Sequence, residues 1–137
     1  METKINFNSQ VCTSKIQSER LLALGLKKET ADMYWQDFAM TEEYEDWKAC
    51  VVEEWDDWCS YDIPAWSLHR LLSLLPQSVK IGKNYYDLAI IQNEFVRLID
   101  DIGDIYIYFD TDGIYESLLL CIEWLIKEGY FNKEYLV

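Results

Sequence analysis

Carboxylates are the side chains with which this sequence is best equipped to do chemistry, and five of them fall close together in its last third. They are Asp100, Asp101, Asp104, Asp110 and Asp112. Converging carboxylate oxygens bind divalent cations, and a pair of carboxyl groups can act as general acid and general base. The sequence therefore contains candidates for a metal site, and for the active site of a small carboxylate- or metal-dependent hydrolase.

Spacing argues against a dedicated site at these acids. An EF-hand calcium loop needs Gly at its sixth position and a bidentate Glu at its twelfth. Counted from Asp110, those positions hold Tyr115 and Cys121. The string DTDG at 110–113 resembles the phosphoryl-acceptor loop of haloacid-dehalogenase-type phosphatases, but too little chain follows it to supply the rest of such a site. Asp112 is instead predicted to cap the last helix.

The other reactive side chains are few and scattered. The cysteines, Cys12, Cys50, Cys59 and Cys121, form no Cys-x-x-Cys pair, and the single histidine cannot complete a zinc set with them. Reduced, buried thiols are the simplest interpretation. His69 lies off the leucine stripe of its predicted helix and lacks an evident nucleophile or orienting group, which favours a surface position. The sequence predicts neither an enzyme nor a cofactor-binding protein.

Charge is distributed unevenly along the chain, whose net charge is −13. Residues 41–62 hold nine acids against one base, and residues 100–137 hold nine acids against two bases, whereas residues 63–99 hold two acids and four bases. Such acidic blocks repel nucleic acids and anionic membranes, so direct binding to either is not expected. No secretory signal is visible, and the longest apolar stretch is shorter than the roughly 20 residues of a membrane span. A cytoplasmic setting is expected.

Tryptophans stand among the acids of the first acidic block, a combination typical of a partner-binding surface. The candidate contact residues are Trp47, Glu53, Glu54, Trp55, Asp56, Asp57 and Trp58. Tryptophan is enriched in binding hot spots, and acids around an aromatic anchor complement a basic protein surface. The competing interpretation is that these tryptophans form a buried face. Trp66 and Trp124 are predicted to lie in the core.

The first element predicted to position these residues is an N-terminal helix, which follows a loosely ordered lead-in over residues 1–12. Ser14 and Gln17 match a capping box, so the helix begins there. It runs to about Leu24, with Gly25 in the left-handed closing conformation. Its apolar face is predicted to consist of Ile16, Leu22 and Ala23.

Residues 41–59 are ambiguous in their periodicity. Their apolar residues recur at intervals of three and four, which favours a helix: Trp47, Val51, Trp55, Trp58 and Cys59. The β-branched pair at 51–52 and the several aromatic residues leave a strand as the alternative.

A leucine-rich helix is predicted next, over residues 67–75. Ser67 is its expected N-cap, Trp66 and Leu71 have the spacing of a hydrophobic staple, and Pro76 ends it. Its apolar stripe is predicted to consist of Leu68, Leu71, Leu72 and Leu75.

From residue 79 to residue 110 the apolar period changes to two. Short runs of β-branched and aromatic residues alternate with turn-forming residues, and such short connections join only antiparallel neighbours. This predicts a meander of three to four strands. A last helix, over about 113–128, is closed by Gly129 and is apolar enough to lie across that sheet. The whole chain, residues 1–137, is therefore predicted to be one α+β domain.

Three strings in the sequence resemble a known family. They are TADMYW at 30–35, DIPAWSL at 62–68 and CIEWLIKEGYFNKEYL at 121–136. Together they resemble a family of small acidic proteins of gut anaerobic bacteria and their phages and other mobile elements, to which no activity or site residue is assigned. The resemblance implies a bacterial cytoplasmic setting and an accessory role in a mobile element.

Charge and composition together favour a non-enzymatic protein–protein interaction module that docks on a basic partner. One variant is a nucleic-acid mimic, whose carboxylates imitate phosphates and occupy the groove of a nucleic-acid-binding protein. The alternative is the hydrolase outlined above, which would use the acids between Asp100 and Asp112. A binding module predicts a contiguous acidic surface with exposed aromatic residues, and a hydrolase predicts a cleft with converging carboxylates.

Overall fold

The computed structural model describes residues 9–39, 43–53, 62–91 and 95–137. Within these ranges the helices are α1 (Lys15–Ala23), α2 (Leu68–Leu74) and α3 (Ile114–Glu128). The strands are β1 (Met33–Asp37), β2 (Trp47–Val51), β3 (Ile63–Ala65), β4 (Ser78–Ile81), β5 (Asn84–Ile91), β6 (Phe95–Ile99) and β7 (Ile105–Asp110). Short 3-10 helices cover Lys28–Thr30 and Lys133–Tyr135. The predicted α+β fold class is confirmed.

The predicted meander is a four-stranded antiparallel sheet in the order β4-β5-β6-β7. Alternate residues of each strand point to the core, among them Val79, Leu88, Leu98 and Ile107. A β-bulge between β6 and β7 lies at Leu98/Ile99. Helix α3 packs against β6 and β7 and supplies the largest share of the buried core, so it lies across the sheet as predicted.

A second sheet, in the order β2-β1-β3, was not predicted. The helix favoured for residues 41–59 is wrong where the structure describes that segment, because Trp47–Val51 is a strand paired antiparallel with β1. The strand alternative holds there. Pro64 lies in β3, at an edge of this sheet, where a missing backbone N–H is tolerated.

Helix α1 begins as predicted but buries a different face. Ser14 and Gln17 form both hydrogen bonds of the capping box, and Gly25 has a φ of 100°. The predicted apolar face is wrong for Ile16, which is 72% exposed, and for Ala23, which is also exposed, whereas Leu22 packs against the core as predicted. The residues that α1 buries are Gln17, Ser18 and Leu21.

The end of the lead-in is fixed in the core rather than loosely ordered. Cys12 and Thr13 are buried, and residues 1–8 lie outside the described ranges. The backbone N–H of Thr13 donates to the Trp66 carbonyl at 2.9 Å, and the Thr13 carbonyl accepts from Trp35 Nε1 at 2.8 Å. The Thr13 hydroxyl accepts from the Trp66 N–H at 3.1 Å and is hydrogen-bonded to Ser18 Oγ at 2.8 Å. Thr13 therefore joins α1 to β1 and to Trp66, the residue that follows β3.

The two later helices follow their predicted bounds with local differences. Ser67 caps α2, but Leu72 is 37% exposed and Leu74 is buried in its place. Gly129 closes α3 with a φ of 80°. Asp112 is not the cap of α3, since Gly113 occupies that position and no side chain caps it.

Trp66 is fully buried, as predicted, and Trp124 is partly buried against the core. The ring of Trp124 lies within about 6 Å of the rings of Tyr106, Phe109 and Tyr130. Within the described ranges, no helix has the length and apolar character needed to cross a membrane.

Candidate partner-binding surface

The first acidic block is positioned by the turn that joins β1 to β2. Asp37 Oδ1 accepts hydrogen bonds from the backbone N–H groups of Ala39, at 2.9 Å, and of Asp46, at 2.8 Å. The N–H of Phe38 donates to the Asp46 carbonyl at 2.8 Å. We call the described residues here, 37–39 and 43–47, the hairpin end. One carboxylate thus holds the two sides of the hairpin end together.

Aromatic side chains at the hairpin end lie open to solvent among carboxylates. Phe38 is 46% exposed and Tyr44 is 59% exposed. Tyr44 is flanked by Glu43 and Glu45, both of which are exposed. The contact residues predicted from the sequence include tryptophans but neither of these two rings. An aromatic residue with acids on both sides is the signal that could have found Tyr44, whereas Phe38 has an acid on one side only, at Asp37.

Trp47 was predicted to contact a partner, but its ring is already engaged within the chain. Lys15 Nζ, at the start of α1, lies 4.5 Å from the centroid of the Trp47 ring. Trp47 Nε1 donates to Glu45 Oε2 at 2.9 Å, and the same oxygen lies 4.0 Å from Lys15 Nζ. The indole is half-buried. It orients the hairpin end against α1. Lys48 Nζ likewise lies 5.5 Å from the centroid of the Phe38 ring, but Phe38 and Tyr44 remain the more exposed rings.

The other predicted contact residues divide between the described and undescribed ranges. Glu53 is exposed, just beyond β2. Val51, at the end of β2, is 67% exposed. The remaining candidates lie outside the described residues: Glu54, Trp55, Asp56, Asp57 and Trp58.

The charge of the hairpin end is strongly negative. Its acids are Asp37, Glu43, Glu45 and Asp46, and the base beside it is Lys48, the second residue of β2, which pairs with Asp46 at 3.6 Å. Hydrogen bonds from the backbone N–H groups of Asp46 and Ala39 lower the pKa of Asp37. The negative charge of Asp37 is therefore retained into mildly acidic solution.

The candidate metal ligands are not gathered into one site. Asp100 Oδ1 accepts from the N–H groups of Ile102, at 3.1 Å, and of Asp104, at 2.7 Å. Asp100 thus shapes the turn between β6 and β7, where Asp101 and Asp104 are exposed. Asp110 and Asp112 are exposed at the opposite end of β7. Among the described residues, no group of three or more His, Cys, Asp or Glu side chains could hold a metal ion.

The described nucleophile-type residues are in structural positions. Burial raises the pKa of Cys121 to about 12, and burial followed by the charge of Asp32 raises that of Cys12 to about 11, so both thiols stay protonated at neutral pH. Ser67 donates its hydroxyl hydrogen to Asp32 while capping α2. His69 is exposed on α2. These groups fix the fold and do not form a reactive arrangement.

Comparison of the chain with protein-family models, with curated proteins and with solved structures gives no match.

Proposed function

We propose that this protein is a non-enzymatic interaction module whose hairpin end docks on a basic surface of a partner protein. One observation supports this most directly: Phe38 and Tyr44 are exposed among the acids of a hairpin end whose two sides are joined by hydrogen bonds to Asp37. Rings of this kind bury apolar area on docking, and the surrounding acids select a partner of opposite charge.

The directions of the carboxylate pKa shifts favour binding over catalysis. A carboxyl group that acts as a general acid needs a raised pKa. The two shifts resolved among the described carboxyl groups are both downward, at Asp37 and Glu116. Hydrogen bonds cause each shift, and both groups therefore serve as stable anions. Stable anions suit electrostatic recognition.

The proposed setting is the cytoplasm of a bacterium, with an accessory role in a mobile element. The three strings that resemble small acidic proteins of gut anaerobes support this setting. A basic, nucleic-acid-binding protein of the host or of the element is the partner class that fits it, with the hairpin end acting as a mimic of phosphates.

The test is capture of partners on the immobilised protein from a lysate of the producing cell, quantified by mass spectrometry. We compare wild type with the variant Phe38→Ser/Tyr44→Ser and with the control Ile102→Ser. Ile102 is 79% exposed in the turn between β6 and β7, so the control removes an exposed apolar side chain elsewhere. A parallel capture of poly-L-lysine reports charge alone.

The expected result is a basic protein that wild type and the Ile102→Ser control retain at low salt and release at high salt. The hairpin-end variant should retain at least about tenfold less of it, because loss of a hot-spot ring costs 2 kcal/mol or more. All three should bind poly-L-lysine equally. Equal capture by the hairpin-end variant and wild type would show that the docking surface lies elsewhere.

A further inference from the structure

The four-stranded sheet has a second face, opposite α3, that we call the outer face. Strand alternation assigns its residues: Leu88 and Leu98 point to the core, so Ala89 and Arg97, which pair with each other, point outward. Tyr108 pairs with Arg97 on the next strand and points the same way. Lys80 pairs with Tyr85, and its Nζ lies 5.7 Å from the Tyr85 ring.

The outer face is more apolar than a solvated sheet face should be. An antiparallel sheet with one face in water alternates apolar residues inward with polar residues outward. Here the outward positions of the described strands also hold apolar or aromatic residues, none of which belongs to the core cluster: Tyr85, Ala89, Ile91, Phe95, Ile99, Ile105 and Tyr108. Tyr85 is 62% exposed and Tyr108 is 63% exposed. Apolar residues on both faces are typical of a sheet that is covered on both sides.

The charges of the outer face are balanced and unused. Two bases, Lys80 and Arg97, share it with two acids, Asp87 and Asp110. None of the four forms an ion pair with another residue in the part of the chain that the structure describes. Arg97 Nε is buried and has no hydrogen-bond partner among the described residues. A buried donor without a partner is costly, so a carboxylate brought over the face would be bound favourably.

We propose that the outer face binds the outer face of a second copy of this chain. In a symmetric dimer the same patch meets itself, so a surface that pairs two bases with two acids is self-complementary. Arg97 of one copy meets the carboxylate of Asp87 or Asp110 of the other, and the reciprocal contact forms at the same time. Two chains that each have a net charge of −13 repel one another, and the outer face, with two bases and two acids, adds no net charge to that repulsion.

The size of the outer face sets the strength of this dimer. Four strands about 4.8 Å apart, each offering about five residues at roughly 3.4 Å, give a flat footprint of roughly 300 Å² per copy. Side-chain relief enlarges this area, but it stays below the roughly 800 Å² per partner of a standard stable interface. We therefore expect a weak, reversible dimer, with a Kd below about 1 mM.

Sedimentation equilibrium over a concentration series tests the proposal. Wild type should pass from monomer to dimer, and Arg97→Asp should dimerise at least about tenfold more weakly because it places acid against acid. The variant Asp87→Lys/Asp110→Lys should also be weakened, because it places bases against Arg97. An equimolar mixture of the two variants restores both contacts and should form a heterodimer within about threefold of the wild-type affinity.

The control is Lys28→Asp, which makes the same charge change as Arg97→Asp at an exposed site in a 3-10 helix. It should dimerise as wild type does. Circular dichroism establishes that each variant is folded, and rescue by mixing requires two folded partners. A wild-type protein that stays monomeric at about 1 mM overturns the proposal, since a dimer with a Kd below that concentration is then absent. Loss in both variants with no rescue in the mixture overturns the assignment to these residues.

Discussion

Replacing Thr13 with valine should destabilise the fold far more than its position near the start of the described chain suggests. Valine keeps the shape of threonine but removes the hydroxyl, which accepts from the Trp66 N–H and is hydrogen-bonded to Ser18 Oγ. Thr13 and Ser18 are 0% exposed, so water cannot replace the lost partner. Each buried polar group left without a partner costs about 1–3 kcal/mol. Because the Ser18 hydroxyl can rotate toward a backbone carbonyl, we expect a total loss of about 2–4 kcal/mol.

The assay is urea unfolding followed by far-UV circular dichroism, with Thr13→Ser as the matched control. Serine keeps the hydroxyl and loses one buried methyl group, which costs about 1 kcal/mol. The midpoint should fall for both variants with an unchanged denaturant dependence, and it should fall further for valine. Ser18→Ala completes a double-mutant cycle with Thr13→Val. Because the Thr13–Ser18 bond is lost in both single variants, the double variant should cost less than the sum.

The reasoning is refuted if Thr13→Val unfolds at the same urea concentration as Thr13→Ser. That result would mean that the hydroxyl contributes no more than the one buried methyl group that serine lacks, about 1 kcal/mol, which is too little for an acceptor shared by two buried partners. Additive losses in the cycle would refute the pairing of Thr13 with Ser18 while leaving the Trp66 contact in place.

Three further predictions test other parts of the structure. Hydrogen bonds from Arg20 and then from Gln17 lower the pKa of Glu116. Because both groups of the Arg20–Glu116 ion pair are partly exposed, the pair should add at most about 1 kcal/mol to the free energy of unfolding at neutral pH. The stability difference between wild type and Glu116→Gln should shrink as pH falls through that lowered pKa, and a difference independent of pH contradicts this. In folded protein at pH 8, Cys121 should resist iodoacetamide because burial raises its pKa to about 12, and mass spectrometry should show the half-exposed Cys50 labelled faster. Gly129→Ala should lower the free energy of unfolding by about 1 kcal/mol, because the φ of Gly129 is 80°. Thermal melting measures the loss, and Gly113→Ala is the control: the φ of Gly113 is −177°, so its substitution should change the stability much less.

The elements that could be predicted from sequence are those whose signals are local. The capping box at Ser14 and the closing glycine at 129 each depend on residues within one turn of a helix. The meander was predictable because its apolar period of two runs over four successive strands with short turns between them. In these places the residues that determine the local structure lie close together in the sequence.

The three-stranded sheet could not be predicted because its pairing is not local. Strand β3 has three residues, one of them Pro64, and pairs with β1 nearly thirty residues earlier. Strand β2 has five residues, and its partly exposed pattern gives no clear alternation. Its tryptophan and valine, four residues apart, fit a helical face equally well. Pairing with β1 stabilises the strand conformation, and β1 lies outside residues 41–59, so the periodicity of that segment alone does not reveal it.

The buried face of α1 could not be predicted either, because it depends on side-chain contacts with distant parts of the chain. Gln17 and Ser18 look like surface residues, and Ile16 looks like a core residue. The structure reverses this because Gln17 is hydrogen-bonded to Glu116 on α3 and Ser18 is hydrogen-bonded to Thr13, which precedes α1. A buried polar group is tolerated when its partner is present, and both partners come from elsewhere in the chain.

The charge pattern of the sequence predicted where the candidate site lies, but it did not predict which side chains contact one another there. The acidic block around residue 44 was visible in the sequence, and the hairpin end does place its acids together. The contact of Lys15 with the ring of Trp47 removes that indole from the accessible set, and a lysine thirty-two residues away cannot be assigned to a tryptophan by spacing. The exposed rings are instead Phe38 and Tyr44, on the two sides of a turn.

The negative charge of the protein favours docking on a basic partner but opposes dimerisation, so added salt should affect the two associations differently. Docking of the acidic hairpin end on a basic partner is an attraction between unlike charges, so added salt screens it and weakens binding. Two copies that each have a net charge of −13 repel over distances that salt also screens, while the ion pairs at Arg97 are partly buried and less accessible to screening. Moderate salt should therefore strengthen the dimer as it weakens partner binding, and a dimer that salt weakens would contradict the claim that its ion pairs are shielded from solvent.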